Sequence, residues 1–321
     1  MKRTIMFSVI AVIMAGVIWC SWGFVWSNQN QQTSATSVRG WESWEKNKLI
    51  AHALGGVDGA KYTNSYEAFI TNYNRGYRLF EVDLVQTADG ELAARHGWSH
   101  RLQPDLAVHG GRNVTTLQFA NSLIMGRFHP LTMPDILRLM QQYRDFDLVL
   151  DTKVGSKEQV QQLFTQLVNE AQRTDPALLN RMIPEIFSPE MYDTVMGIYP
   201  FPNKMYSLYK TGASANSIVE FARDNHLSAV AMPAYRAVIN PNLVPALNKL
   251  GVKSYVHTVN NRLVMQLLNS FGVHGFYTDQ ERSPEELLVA GSFSGQLEFP
   301  AYIRSGLASI SNIVMKVRNY G

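Results

Sequence analysis

The chain has 321 residues, room for one large domain or two small ones at ~100–200 residues each. Its 29 Lys and Arg against 26 Asp and Glu leave +3, and that surplus is Lys2, Arg3 and Arg39, so residues 41–321 are electrically balanced. Balance leaves no excess of bases to neutralise phosphates and excludes bulk nucleic-acid binding. A hydrophobic share of 46% excludes a disordered chain, and a single cysteine excludes both an internal disulfide and a zinc site built from several thiolates.

Thr4 to Trp26 form an uncharged apolar run, preceded by Lys2 and Arg3, with no further base until Arg39. The run matches ~30 Å of hydrocarbon, and the charge bias places the remainder of the chain outside the cytoplasm. The run is long and ends in bulky Trp26, which favours an uncleaved transmembrane anchor over residues 1–27 against a cleaved signal peptide. Cys20 comes after Trp19, where a lipobox needs a small residue, and reads as a buried thiol. Residues 28–40 read as a polar tether, so the expected location is the cell membrane with the folded domain, residues 41–292, on the extracytoplasmic side.

Within that domain, short apolar runs rich in β-branched and aromatic residues alternate with helical spacing. Strands are expected at 49–53, 78–86, 146–154, 182–188, 204–209, 228–233, 252–259 and 275–279. The segment KEQVQQLFTQLVNEAQR reads as an amphipathic helix with Val160, Phe164, Leu167 and Ala171 on one face. Eight strands alternating with helices predict an α/β fold, a closed (β/α)8 TIM barrel. An open doubly wound sheet is the competitor, weakened because no glycine fingerprint comes after the first strand.

Reactive groups in such a barrel sit at the carboxyl ends of strands. There the sequence puts His52, then Glu81 with Asp83, then Asp151 with Lys153. Residues i and i+2 of a strand share a face, so the three carboxylates are expected together in the mouth, where they would repel unless a cation held them. All-oxygen ligands suit Mg2+ or Ca2+ rather than zinc. His96 ends ELAARH, a short strand after the ADG turn, and with His52 it could serve as general base and general acid. The other six histidines, His100, His109, His129, His226, His257 and His274, read as surface or satisfied polar groups.

These residues lie in segments, IAHALGG, TNSYEAF, GYRLFEVDLVQTADGELAARH, LVLDTK, YVHTVNN and GVHGFYTD, that resemble the ordered motifs of the glycerophosphodiester phosphodiesterase family. That family belongs to the phosphatidylinositol phospholipase C-like barrel superfamily, and the similarity spans about residues 48–285. The resemblance implies His52 and His96 as the catalytic pair, Glu81, Asp83 and Asp151 as metal ligands, and Lys153 as a substrate phosphate contact. It also implies attack by a hydroxyl of the substrate itself, through a cyclic phosphate. Three positions differ from the family pattern: Ala53 stands for an Arg, Thr63 for a Glu that is usually a ligand, and His257 for a Trp. The ligand set is closer to that of sphingomyelinase D-like enzymes.

Further candidates are weaker. Gly55 and Gly56 suit either close approach of backbone amides to a phosphate or a flexible loop. Glu185 carries no assigned role, His257 is a leaving-group contact or a packing residue, and Asn113-Val-Thr is a glycosylation sequon. Residues 293–321 read as an amphipathic extension that lies on an anionic membrane or on the barrel. The expected partners are a phosphodiester substrate and the membrane, with no nucleic acid and no obligate protein partner. A catalytically silent barrel binding anionic ligands is the rival reading.

Overall fold

The computed structural model describes residues 43–98 and 113–288. The expected anchor, tether and C-terminal extension, with His100 and His109, lie outside the described residues. Among the described residues no helix is long and apolar enough to cross a membrane.

Nine strands are present among the described residues: β1 (Leu49–Ala51), β2 (Leu79–Gln86), β3 (Leu92–Ala94), β4 (Asp147–Asp151), β5 (Met182–Ile186), β6 (Met205–Ser207), β7 (Ala229–Pro233), β8 (Lys253–His257) and β9 (Gly275–Thr278). Eight pair in parallel in the order β1-β9-β8-β7-β6-β5-β4-β2, and Ala51 of β1 lies opposite Phe80 of β2, so the sheet closes on itself. β3 pairs antiparallel with β2, Leu84 opposite Ala94. The closed barrel is the expected fold, with each predicted strand found and all eight shorter by one to three residues at one or both ends.

Local chemistry sets the helices. Ser65 caps helix Tyr66–Asn74 by accepting from the Ala68 amide, and Ser156 forms a capping box with Gln159 at the start of helix Lys157–Thr174. The predicted apolar face of the latter, Val160, Phe164, Leu167 and Ala171, is buried, joined by Leu163 and Val168.

The alternation of side chains along the strands separates two cores. Phe80, Val82, Leu148, Leu150, Met232 and Val256 face outward and pack under the helices. Ile50, Leu79, Val149, Ile183, Met205, Tyr255 and Tyr277 face inward, with Trp44 among them, and fill the lower barrel. Two to four residues further along the same inward rows the character changes: Ile50 gives way to His52, Leu79 to Glu81 and Asp83, Val149 to Asp151, and Ile183 to Glu185. The apolar plug thus serves as the floor of a charged mouth.

Gly55 and Gly56 stand where no side chain fits. A Cβ on Gly55, at φ +95°, would lie 2.3 Å from Nδ2 of Asn72, and one on Gly56 would lie 2.2 Å from the backbone oxygen of Asp279. Asn72 Nδ2 also donates to the carbonyls of Leu54, Gly56 and Ala68. The glycines are there for close packing of the first loop against the end of β9. Gly56→Ala should therefore lower the melting temperature by ~4 °C or more through overpacking, measured by thermal unfolding; an unchanged melting temperature would contradict this packing.

Candidate active site

The strand ends carry the site, but not all as continuous strand. β1 stops at Ala51, and His52–Leu54 form a 3-10 turn in which Ala53 takes φ +51°. That turn aims the Ala53 amide at Glu81, N to Oε2 2.6 Å. Ala53 is fully buried, so the residue after His52 contributes an N–H and no charge. β4 likewise stops at Asp151. Lys153 does not share a strand face with Asp151, as alternation along a continuous strand predicts; it lies beyond the strand at φ +51°, and this left-handed turn folds its side chain back over the strand end.

Glu81, Asp83 and Asp151 are all buried, and one carboxylate oxygen of each lies within 4.8 Å of the others. At that spacing two like charges repel by ~3 kcal/mol even with an effective dielectric of ~20. Lys153 Nζ offsets part of this, 3.0 Å from Asp83 Oδ1 and paired also with Asp151 Oδ2. Burial acts to lower the Lys153 ammonium, but Asp83, Asp151 and Glu81 hold it well above the ordinary lysine range. Burial first, then the charge of Asp83 and Asp151, raises Glu81. Asp151 is raised by burial and by Asp83 against the pull of Lys153.

One ammonium does not satisfy this cluster. Glu81 Oε1 is buried with no hydrogen-bond partner, and Asp83 Oδ1 has only the ammonium, off hydrogen-bond geometry. Two buried, under-coordinated carboxylate oxygens facing a third carboxylate fit a hard divalent cation, and the all-oxygen donor set fits Mg2+ or Ca2+. Because burial raises Glu81 and Asp151, cation binding should displace protons and tighten as pH rises. Calorimetric titrations with Mg2+ in two buffers of different ionisation enthalpy should show proton release, and none would contradict this reading of the cluster.

Asn64 and Asp279 hold the site in place. Asn64, fully buried at φ +49°, donates from Nδ2 to Asp83 Oδ2 at 2.9 Å and accepts the Asp83 amide at 3.0 Å. Asn is among the few residues that adopt this backbone readily. Thr63, at the position where the family pattern has a ligand Glu, bonds Ser65 Oγ at 3.0 Å and brings no charge. His52 Nδ1 lies 2.8 Å from Asp279 Oδ1, and Asn260 fixes that carboxylate through Nδ2 to Oδ2 at 2.7 Å while accepting the Asp279 amide. Burial acts to raise Asp279, but the hydrogen bond and charge of His52, with Asn260 and Lys61, hold it below the usual carboxylate range.

The two predicted histidines share one aromatic neighbour. The Tyr62 ring packs edge-on against His52 at 4.8 Å and His96 at 5.4 Å, which puts the imidazoles no more than about 10 Å apart. Burial lowers His96, with Asp83 and Asp151 opposing and Lys153 adding to the effect. His257 lies between Tyr209 and Tyr277 with Nε2 buried and without a hydrogen-bond partner, and burial, with the charges of His52 and Lys153, pushes it down to about 4. Glu185 lies inside the barrel, where Tyr277 Oη donates to it at 2.5 Å. Burial and the charge of Asp151 push Glu185 up to about 7.

All six predicted site residues thus surround one mouth. Sequence reasoning missed Asp279, Asn260, Asn64 and Tyr62. Asp279 and Asn260 were legible as the polar ends of GFYTD and TVNN, directly after two strands; Tyr62 comes after a lysine in a loop and carried no signal.

The model of the glycerophosphoryl diester phosphodiesterase family matches residues 56–282. No curated protein sequence matches the chain. Among solved structures, a glycerophosphodiester phosphodiesterase from Parabacteroides distasonis is similar with a TM-score of 0.62 and 18% identity, covering 75% of this chain and 94% of its own. A phosphodiesterase from Oleispira antarctica, in complex with the product sn-glycerol-3-phosphate, has a TM-score of 0.61 and 15% identity, covering 75% and 96%. A glycerophosphodiester phosphodiesterase from Thermotoga maritima has 0.55 and 16%, covering 73% and 95%. At these identities the structures establish the barrel, and the family model, spanning well over half of the chain, establishes the kinship. The chain belongs to the glycerophosphoryl diester phosphodiesterase family, a family of phosphoric diester hydrolases.

Proposed function

We propose that this protein is a membrane-anchored, extracytoplasmic, metal-dependent phosphodiesterase that cleaves glycerophosphodiesters or related lipid or envelope phosphodiesters with a pair of histidines. The observation that carries this is the buried Glu81, Asp83 and Asp151 cluster beside a His52 held by Asp279. The family is divalent-metal dependent, and Glu81, Asp83 and Asp151 would hold the ion. When bound, it supplies Lewis acidity and positive charge to the phosphate oxygens.

The chain's own residues supply the rest. With Nδ1 bonded to Asp279, His52 keeps its lone pair on Nε2, the state from which a general base starts. His96, across Tyr62, is then the group to protonate the leaving oxygen. Lys153 Nζ contributes charge for a phosphate. Lys61 Nζ stands 3.9 Å from Asp279 Oδ2 and adds a cation on the side where Ala53 offers none.

The product bound by the Oleispira protein, sn-glycerol-3-phosphate, favours glycerophosphodiesters as the first substrates to try. Phosphorus NMR of the reaction should show glycerol phosphate appearing through a cyclic phosphate, with neither formed by His52→Ala. Release of the other phosphomonoester with no cyclic species would contradict attack by the substrate's own hydroxyl. The uncharged run Thr4–Trp26 supports retention by the membrane: the full chain should remain in the pellet after an alkaline wash, and its recovery in the supernatant would refute the anchor.

A further inference from the structure

The exposed apolar side chains of this protein are unevenly placed. Leu117 (71% exposed), Met125, Tyr209, Tyr235, Ile239 (58%) and Leu263 (58%) all project from segments that come after the carboxyl ends of strands. Among the described residues, the large exposed apolar side chains at the other end of the fold are only Leu250 and Leu288. Scattered exposed apolar residues are ordinary, whereas a ring of them around one opening marks a contact surface.

Two features identify what it contacts, the tyrosines on the ring and the apolar run of the chain itself. Tyr62, Tyr209 and Tyr235 have an apolar body and a polar tip, the form suited to a membrane interface. Lys61, Arg127 and Lys210 stand exposed on this face beside the exposed acids Asp58, whose carbonyl accepts from Arg127, and Asp89, whose carboxylate accepts from Thr116 next to Leu117, so the charge of the face is mixed and the contact rests on its apolar and aromatic side chains. The chain also carries its own bilayer-length run at residues 4–26, separated from Ser43 by 16 residues. That stretch reaches at most ~55 Å when extended, about twice the ~27 Å of the eight-residue strand β2, so an anchored barrel can turn its mouth to the membrane.

We propose that the mouth face docks on a lipid bilayer and that the phosphodiester entering the site is the headgroup of a lipid still seated there. The second half rests on the phosphodiesterase reading above; the first does not. The full chain is reconstituted in vesicles of phosphatidylglycerol and phosphatidylcholine bearing an alkyne on the acyl chain, with photoreactive benzoylphenylalanine in place of Ile239, Leu263 or Leu250. Lipid adducts should form at positions 239 and 263 at ~10-fold or more the yield at 250. Equal yields at all three, or none at 239 and 263, would overturn the docking.

The substrate is tested with the double variant Ile239→Asp, Leu263→Asp. Hydrolysis of a phospholipid in the vesicle should fall ~10-fold or more, the scale of losing about one apolar side chain's burial, while hydrolysis of a soluble glycerophosphodiester stays within ~2-fold. Equal losses on both, or no loss on the lipid, would overturn the lipid substrate. A wild type inactive on both would instead overturn the phosphodiesterase reading and with it the lipid substrate, leaving the cross-linking to decide the docking.

Discussion

His52→Ala should reduce turnover of a glycerophosphodiester by ~100-fold or more, and His96→Ala by a similar factor, the usual scale for losing a general acid or base. The two losses should combine to less than their product, because base and acid act in one step. Asp279→Asn provides the finer comparison. Asp279 holds His52 through Nδ1, and a carboxylate there favours the tautomer with its proton on Nδ1; an amide can present either O or N to that ring, and the preference for one tautomer weakens. The variant should lose ~10-fold or more in kcat and shift the acidic arm of its pH profile, which reports the general base, while KM changes little. Steady-state rates between pH 5 and 9 check this. Near wild-type turnover in the double variant His52→Ala, His96→Ala would bring the silent-barrel reading to the front.

Asp83→Asn should weaken divalent-cation binding by on the order of 100-fold, ~2.7 kcal/mol, without unfolding the domain. The substitution is isosteric, and an Asn carbonyl at this position keeps the hydrogen bond from Asn64 Nδ2. What it removes is one of the three charges that face the ion and one of the two carboxylates paired with Lys153. Two opposing effects act on stability. With no cation present, deleting one of three mutually repelling carboxylates relieves repulsion, so the melting temperature of the chelated protein should hold or rise. With saturating cation, wild type gains stability by mass action and the variant gains less. Calorimetric Mg2+ titration alongside thermal unfolding reads both.

The barrel was legible because its signal is repeated: eight apolar runs separated by helical spacing leave few other folds. The carboxylates were legible for a related reason, since Glu81 and Asp83 alternate in phase on β2 with the apolar Leu79. Lys153 was placed correctly in space for an incorrect local reason. Period-two logic assumes the strand continues, whereas β4 ends at Asp151 and a left-handed residue returns the ammonium to the cluster. Asp279 and Asn260 stood in recognised motifs without roles, because their work is on each other and on His52, 227 residues distant from Asp279 in sequence. No local pattern encodes such a pairing. Tyr62 is the extreme case: its position between two histidines depends on loop geometry at φ +61° that a single sequence does not announce. Gly55 and Gly56 show the reverse failure, a turn signal whose true cause was packing against Asn72 and the Asp279 backbone.

The central claim is that phosphodiester hydrolysis depends on a divalent cation held by Glu81, Asp83 and Asp151. The most direct measurement is turnover of a chromogenic phosphodiester by the full-length protein in excess chelator, then titration back with Mg2+ or Ca2+, with Asp83→Asn assayed in parallel. The account predicts no turnover in chelator, recovery as the wild type binds the ion, and recovery displaced to much higher ion concentration in the variant. Undiminished turnover in excess chelator would contradict it.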